Sequence, residues 1–270
     1  MKSKNAILVK QKCFIILFII MLSKAKIRLI QSLQYKKFRK AHALFVVEGL
    51  KSIQEFIHAG WEIDTLYTTE IAFAKLNKIP QNIKLSEVSE LEIRKISFLQ
   101  NPQGMLALIR IPETQNMVYE NLRGRYSLAL DRIQDPGNMG TIIRTAEWFG
   151  IQNIICSEDC VDIYNPKVVQ ASMGSLARIN ISYKDLLPFF EKIELPIYGA
   201  LLDGESIYHT QFATEGIVLM GNEGNGIHDS LMNKIDYGVT IPNFGSAESL
   251  NVAVATTVFC SEIARKKING

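Results

Sequence analysis

The chain is poor in cysteine and nearly balanced in charge. Its 270 residues hold four cysteines, Cys13, Cys156, Cys160 and Cys260, too few for a disulfide framework at this length. Cys156 and Cys160 have no second Cys or His pair at zinc-ligand spacing, so no metal site is expected. This cysteine usage suits a reducing, cytoplasmic compartment. A net charge of +3 is too weak to attract nucleic acid by a global field, so any such affinity must come from local clusters. Internal repeats and low-complexity tracts are absent. No Gly-Lys-Ser/Thr follows the glycines at 221–226, which excludes a P-loop. Their order, Gly-x-x-Gly-x-Gly late in the chain, is not a dinucleotide fingerprint.

A hydrophobic content of 47% with 21% charged residues is that of a globular protein able to bury a core. The length accommodates one large or two ordinary domains. Residues 13–22 form a short apolar run behind a lysine-bearing start, the outline of a signal peptide and too short for a membrane span. Met21 is the expected translation start, with residues 1–20 as upstream sequence and no membrane partner.

Residues 24–40 contain seven basic side chains and no acidic one. Ile27, Ile30 and Leu33 fall at helical spacing, so the stretch is expected to begin as an amphipathic helix and end in a basic loop. Lys36, Lys37, Arg39 and Lys40 are candidate phosphate contacts, and Tyr35 and Phe38 could stack on bases. The plainer reading is a solvated cationic face. Strands are expected at 45–48, 63–68 and 104–111 and helices at 49–59 and 86–96, a small α/β domain over 22–111. Residues 112–124 are polar and without periodicity, and read as a linker.

From 125 to 268 the pattern changes. Strands at 127–131, 153–156, 196–202, 216–220 and 236–241 alternate with helices at 138–149, 165–176, 184–191, 229–233 and 249–266. Such alternation implies a parallel sheet covered by helices on both faces.

Three stretches carry chemistry. Ile217-Val-Leu-Met-Gly-Asn-Glu-Gly-Asn-Gly-Ile227 breaks from a buried strand into glycines around Glu223, with Gly221, Gly224 and Gly226 free to adopt left-handed backbone. Ile241-Pro-Asn-Phe-Gly-Ser-Ala-Glu-Ser-Leu-Asn251 repeats the design, with Ser249 and Asn251 opening a helix. Together they describe loops of exposed amides around a small-molecule pocket. Asp131-Arg-Ile-Gln-Asp-Pro-Gly-Asn138 leads into a helix that Asn138 is placed to cap and that carries Arg144. Singly, Asn138 reads best as a cap, and Arg144 as a surface ion pair with Glu147.

Read together, Asn138-x5-Arg144, Gly221-Asn-Glu223-Gly and Ile241-Pro…Ser249-Leu-Asn251 resemble, in order and spacing, the three motifs of the SpoU (TrmH-type) branch of the SPOUT RNA 2′-O-ribose methyltransferases. The resemblance covers residues 24 to about 266. Leu44-Phe-Val-Val-Glu-Gly49 and the basic stretch before it resemble the family's amino-terminal substrate-binding domain, itself similar to a small ribosomal protein. The implied fold class is α/β: that small domain, then a parallel-sheet catalytic domain with a deep carboxy-terminal trefoil knot. The implied cofactor is S-adenosylmethionine, without metal, held by the backbone at Gly221, Gly226, Ile241 and Leu250. The implied catalytic set is Arg144, Asn138, Glu223, Ser249 and Asn251. Arg144 would stabilise the ribose alkoxide or act as base, the second role being harder because a guanidinium holds its proton. The implied partners are RNA, ribosomal ahead of transfer RNA with the latter left open, and a second copy of the chain, with the active site at the dimer interface. The alternative is a catalytically silent RNA-binding ribosome-assembly protein, against which the joint presence of all five catalytic side chains counts.

Overall fold

A computed structural model describes residues 22–76, 80, 83–113 and 119–269; the expectations for residues 1–20 lie outside these. The described chain forms two compact units that divide between Arg110 and Ile111.

In the first unit, β-branched and aromatic residues build strand β1 (Leu44–Glu48), buried along its whole length. Strands β2 (Ile63–Thr68), β3 (Leu85–Glu87) and β4 (Met105–Arg110) complete a sheet of order β1-β4-β2-β3. Helices α1 (Lys24–Ser32) and α5 (Glu90–Ile96) cover one face through Ile30, Leu33, Ile93 and Ile96, which pack on Val46, Leu106 and Leu108. Helix α3 (Leu50–His58) covers the other, where Phe45, Phe56 and Trp61 meet edge to face. The short helix α4 spans Glu70–Phe73.

The basic stretch departs from expectation. Residues 36–42 are not a loop but a second helix, α2 (Lys36–His42), closed by Ala43 in left-handed conformation. Arg39 faces inward at 2% exposure, and its Nη1 donates to the carbonyls of Leu33 and Gln34, both at 2.8 Å. Leu33 is the C-cap of α1, whose carbonyl has no helical donor, and Gln34 is the residue after it. Arg39 therefore fastens α2 to α1 and leaves the group of candidate phosphate contacts. Lys36, Lys37 and Lys40 stay exposed.

The second unit is a six-stranded sheet of order β10-β8-β9-β5-β6-β7, with every pairing parallel. Its strands are β5 (Tyr126–Leu130), β6 (Asn153–Ser157), β7 (Asn180–Lys184), β8 (Ile197–Ser206), β9 (Gly216–Met220) and β10 (Tyr237–Thr240). The central strands β5, β6 and β9 are buried along almost their whole length, polar Ser127, Asn153 and Ser157 included, as strands covered on both faces are. The helices are α6 (Pro136–Trp148), α7 (Pro166–Ser172), α8 (Leu186–Phe190), α9 (Asp229–Met232) and α10 (Val252–Asn269). Strand β7 is polar and half exposed at the sheet edge, so periodicity did not reveal it. Part of the expected linker belongs to this unit: Leu122 is fully buried and Tyr119 stacks on Phe189. No described helix is long and apolar enough to cross a membrane, and the described cysteines, Cys156, Cys160 and Cys260, are buried and free.

The strand order positions the site. From β5 the chain winds outward through β6 and β7, then returns to build β8, β9 and β10 on the other side. The reversal falls between β5 and β9, and ligand crevices of open parallel sheets lie at the carboxyl ends of strands at such a switch point.

Candidate active site

The three motif stretches are the loops that leave β5, β9 and β10 at their carboxyl ends. The loop after β9 is a tight turn in which Asn222 N–H donates to Gly226 O (2.9 Å) and Gly226 N–H to Asn222 O (3.0 Å). Gly221 is required there by crowding: a Cβ on it would lie 2.3 Å from Gly226 C and from Ile227 N. Of the three glycines only Gly226 adopts a positive φ, +65°. The expectation that all three do so, and that the loop offers a row of free amides, is corrected by Asn222. Its Oδ1 accepts from the amides of Gly224 (2.9 Å) and Asn225 (3.2 Å), and its Nδ2 donates to Arg132 O (2.8 Å). The side chain at 222 consumes those donors and ties the loop to the one after β5.

That first loop is held from several sides. Asp131 is buried at the end of β5, accepts from His228 N–H (2.8 Å) and lies 3.3 Å from Arg132 Nε. Arg132 adopts φ +54°, rare for a residue with a side chain, and its N–H donates to Ser157 Oγ (2.8 Å). Helix α6 then begins, with Asp135 as N-cap: its Oδ1 accepts from Asn138 N–H (2.8 Å) and Pro136 fills the first turn. The expectation that Asn138 caps α6 is therefore corrected. Because Asp135 does the capping, the Asn138 side chain is free for other work.

That work joins the three loops. Asn138 Nδ2 donates to Glu223 Oε1 (2.8 Å), and Asn251 Nδ2 donates to Asn138 Oδ1 (2.9 Å). Asn251 Oδ1 in turn accepts from the amides of Ala253 and Val254, capping α10. Asn251, Asn138 and Glu223 thus form one row, with each amide oriented by its neighbours. Helix α10 begins at Val252, so Ser249 and Leu250 lie in the loop before it and do not open the helix. Ser249 is exposed. The loop after β10 leaves Leu250 50% and Phe244 95% exposed, while Ile241 is half-buried at its entry.

Arg144 does not join the row. It is exposed on α6 and its Nη1 donates to Met173 Sδ at 3.0 Å. The expected ion pair with Glu147 does not form, because Glu147 bonds to Arg178, whose guanidinium holds its carboxyl below the usual range. Among the described residues no cluster of three or more His, Cys, Asp or Glu is placed to hold a metal ion. Sequence reasoning missed Asp135, Asn222, Arg132 and Met173. The first two carried a signal in the Asx residues flanking the turns; the last two carried none.

The parallel sheet with loops at its switch point and the amide–carboxylate row joining three motifs match the arrangement that the SPOUT resemblance implies. Comparison with known proteins makes this specific. The chain belongs to the SpoU rRNA methylase family, whose model matches residues 125–261, and an MRM3-like substrate binding domain matches residues 24–107. The 23S rRNA (guanosine(2553)-2′-O)-methyltransferase of Bacillus subtilis is 28% identical over 84% of this chain and 91% of its own. A TrmH-family structure from Porphyromonas gingivalis superposes with a TM-score of 0.82 at 37% identity, covering 92% of this chain and all of that one. An AdoMet-bound rRNA methyltransferase from Sinorhizobium meliloti matches with a TM-score of 0.80 at 29% identity, over 92% of this chain and 98% of that one.

Proposed function

We infer that the protein transfers the methyl group of S-adenosylmethionine to a ribose 2′-hydroxyl of ribosomal RNA, in the reducing interior of the cell. The observation that carries this is the row Asn251–Asn138–Glu223, which draws all three motif loops to one point at the carboxyl ends of β5, β9 and β10.

The residues present suit the cofactor. A Cβ on Gly226 would meet nothing within 4 Å, so its backbone is open to a ligand, and Leu250 and Phe244 leave apolar surface uncovered for a flat heterocycle. The backbone at Gly221, Gly226, Ile241 and Leu250 would hold it. Bound there, S-adenosylmethionine supplies a methyl group already activated by its sulfonium. A ribose hydroxyl is a weak acid and a poor nucleophile, so what the chain must add is alignment and stabilisation of alkoxide charge. Arg144 is suited to the second task because, among the described residues, its guanidinium meets no carboxylate. Glu223, with Asn138 and Asn251, would fix the ribose, and Ser249 would line the same wall.

Arg144 lies apart from the row within one chain, which supports a homodimer in which each Arg144 serves the partner's cofactor crevice. The carboxy-terminal segment would tuck through the preceding loops as a trefoil knot, as the family resemblance implies. Lys36, Lys37 and Lys40 on α2 would meet RNA phosphates. The test is subunit mixing. Arg144→Ala and Gly221→Ala should each be inactive alone, whereas mixed dimers should recover about a quarter of wild-type transfer, one site in half of the dimers. No recovery from folded, exchanging dimers would place Arg144 in its own chain's site and overturn the shared one.

A further inference from the structure

Arg144 sits one turn beyond Gly140 on α6. A Cβ at Gly140 would fall 2.4 Å from Ala171 Cβ and 2.8 Å from Val168 O, so glycine is what lets α6 and α7 touch there. The contact brings the carboxyl end of α7 alongside Arg144. Helix α7 closes on Met173, whose N–H bonds to Gln170 O and whose φ of +50° is left-handed, an uncommon conformation for a long side chain. Met173 is 43% exposed, so core filling does not account for it. Its thioether points to Arg144 and accepts the bond from Nη1. The carboxylate one turn along α6, Glu147, is engaged by Arg178.

We propose that Met173 is the positioning residue for Arg144: a neutral, weak acceptor that aims the guanidinium without cancelling its charge. This rests on the reading of Arg144 as the alkoxide-stabilising group. A carboxylate in that place would bind the guanidinium more strongly and spend the charge that the reaction requires. A hydrocarbon would leave the long side chain free among its rotamers, so the aligned geometry would be populated less of the time. The thioether does neither. Its polarizable sulfur orients the donor, and its bond is weak enough to exchange for a substrate oxygen.

The experiment compares Met173→Leu, Met173→Gly and Met173→Gln. Loss of one modest orienting bond should lower kcat about tenfold in the Leu variant, with KM for cofactor and RNA unchanged. The Gly variant should lose as much kcat although it relieves the left-handed backbone and melts higher, an outcome that a merely structural role would not give. Gln, a neutral acceptor, should restore most of the rate. Wild-type kcat in both the Leu and Gly variants overturns the proposal. Arginine side-chain 15N NMR reads the same device without turnover, with the Arg144 signal assigned by its loss in Arg144→Lys. Restricted guanidinium rotation in wild type and the Gln variant, but not in the Leu variant, supports it; identical signals overturn it. Because that readout needs no methyl transfer, it separates failure of this proposal from failure of the assigned reaction.

Discussion

The side-chain amide of Asn251 donates to Asn138 Oδ1 at 2.9 Å across 113 residues of sequence. This bond fixes which way the Asn138 carboxamide faces, and so dictates that its NH2 meets Glu223. The pair turns two distant motifs into a single wall of the site, and an exchange of donor for acceptor at either position would reverse it.

Asn138→Asp makes that exchange with little change in shape. The new carboxylate keeps the bond from Asn251 but confronts Glu223 with like charge, which costs more than loss of the neutral bond. Methyl transfer should fall at least about tenfold, and an additional Glu223→Gln change should recover part of it. A double-mutant cycle with no coupling would show that the row has no role in turnover.

Gly221→Ala places a methyl group against the backbone of Gly226 and Ile227. The loop must open, lowering unfolding stability by about 1–3 kcal/mol, as overpacked positions do. Cofactor affinity by calorimetry should drop with it. Gly224, which has open space around its Cβ direction except for Asn222 Oδ1 at 3.7 Å, should accept alanine with far smaller effects on both.

Arg39 and its lysine neighbours should separate cleanly. Arg39→Met leaves the buried carbonyl of Leu33 and the part-buried one of Gln34 without this donor and should cost about 1–3 kcal/mol in chemical denaturation. Changing Lys36, Lys37 and Lys40 to Gln should leave stability unchanged. It should lower the magnitude of the salt slope of RNA binding by up to about 2–3, at roughly 0.7–0.9 per phosphate contact. An unchanged slope would return α2 to a solvated surface.

Glu48, buried at the end of β1, accepts from Ser97 Oγ and Phe98 N–H, yet burial still raises its pKa above the ordinary carboxylate value. A raised carboxyl pKa means that the folded state holds the proton longer than the unfolded chain does. This group therefore favours folding below the unfolded pKa, and that contribution is lost as pH rises from there through the folded pKa. Glu48→Gln removes the titration, so the difference in stability between variant and wild type should shift in the variant's favour on going from pH 4 to pH 7. A pH-independent difference would show that Glu48 keeps an unshifted pKa in the fold.

The three motif loops were legible only when read together, since singly the glycines fit a plain turn and Asn138 a cap, and the alternation of strands with helices after residue 125 announced a parallel sheet. What was hidden depends on partners far along the chain. Nothing local distinguishes Arg39 from Lys40, yet one plugs α1 and the other faces solvent. Asn138 and Asp135 are both good caps by residue type, and the Pro-Gly turn decides between them. Met173 reads as an ordinary apolar residue until the Gly140–Ala171 contact brings it to Arg144.

The most direct measurement is transfer of tritium from methyl-labelled S-adenosylmethionine into total bacterial RNA, followed by alkaline hydrolysis. A methylated 2′-oxygen cannot attack the adjacent phosphate, so the account predicts label retained in alkali-resistant dinucleotides derived from ribosomal RNA and absent with Arg144→Ala. Label released entirely as mononucleotides would mean methylation of a base and would contradict the assignment.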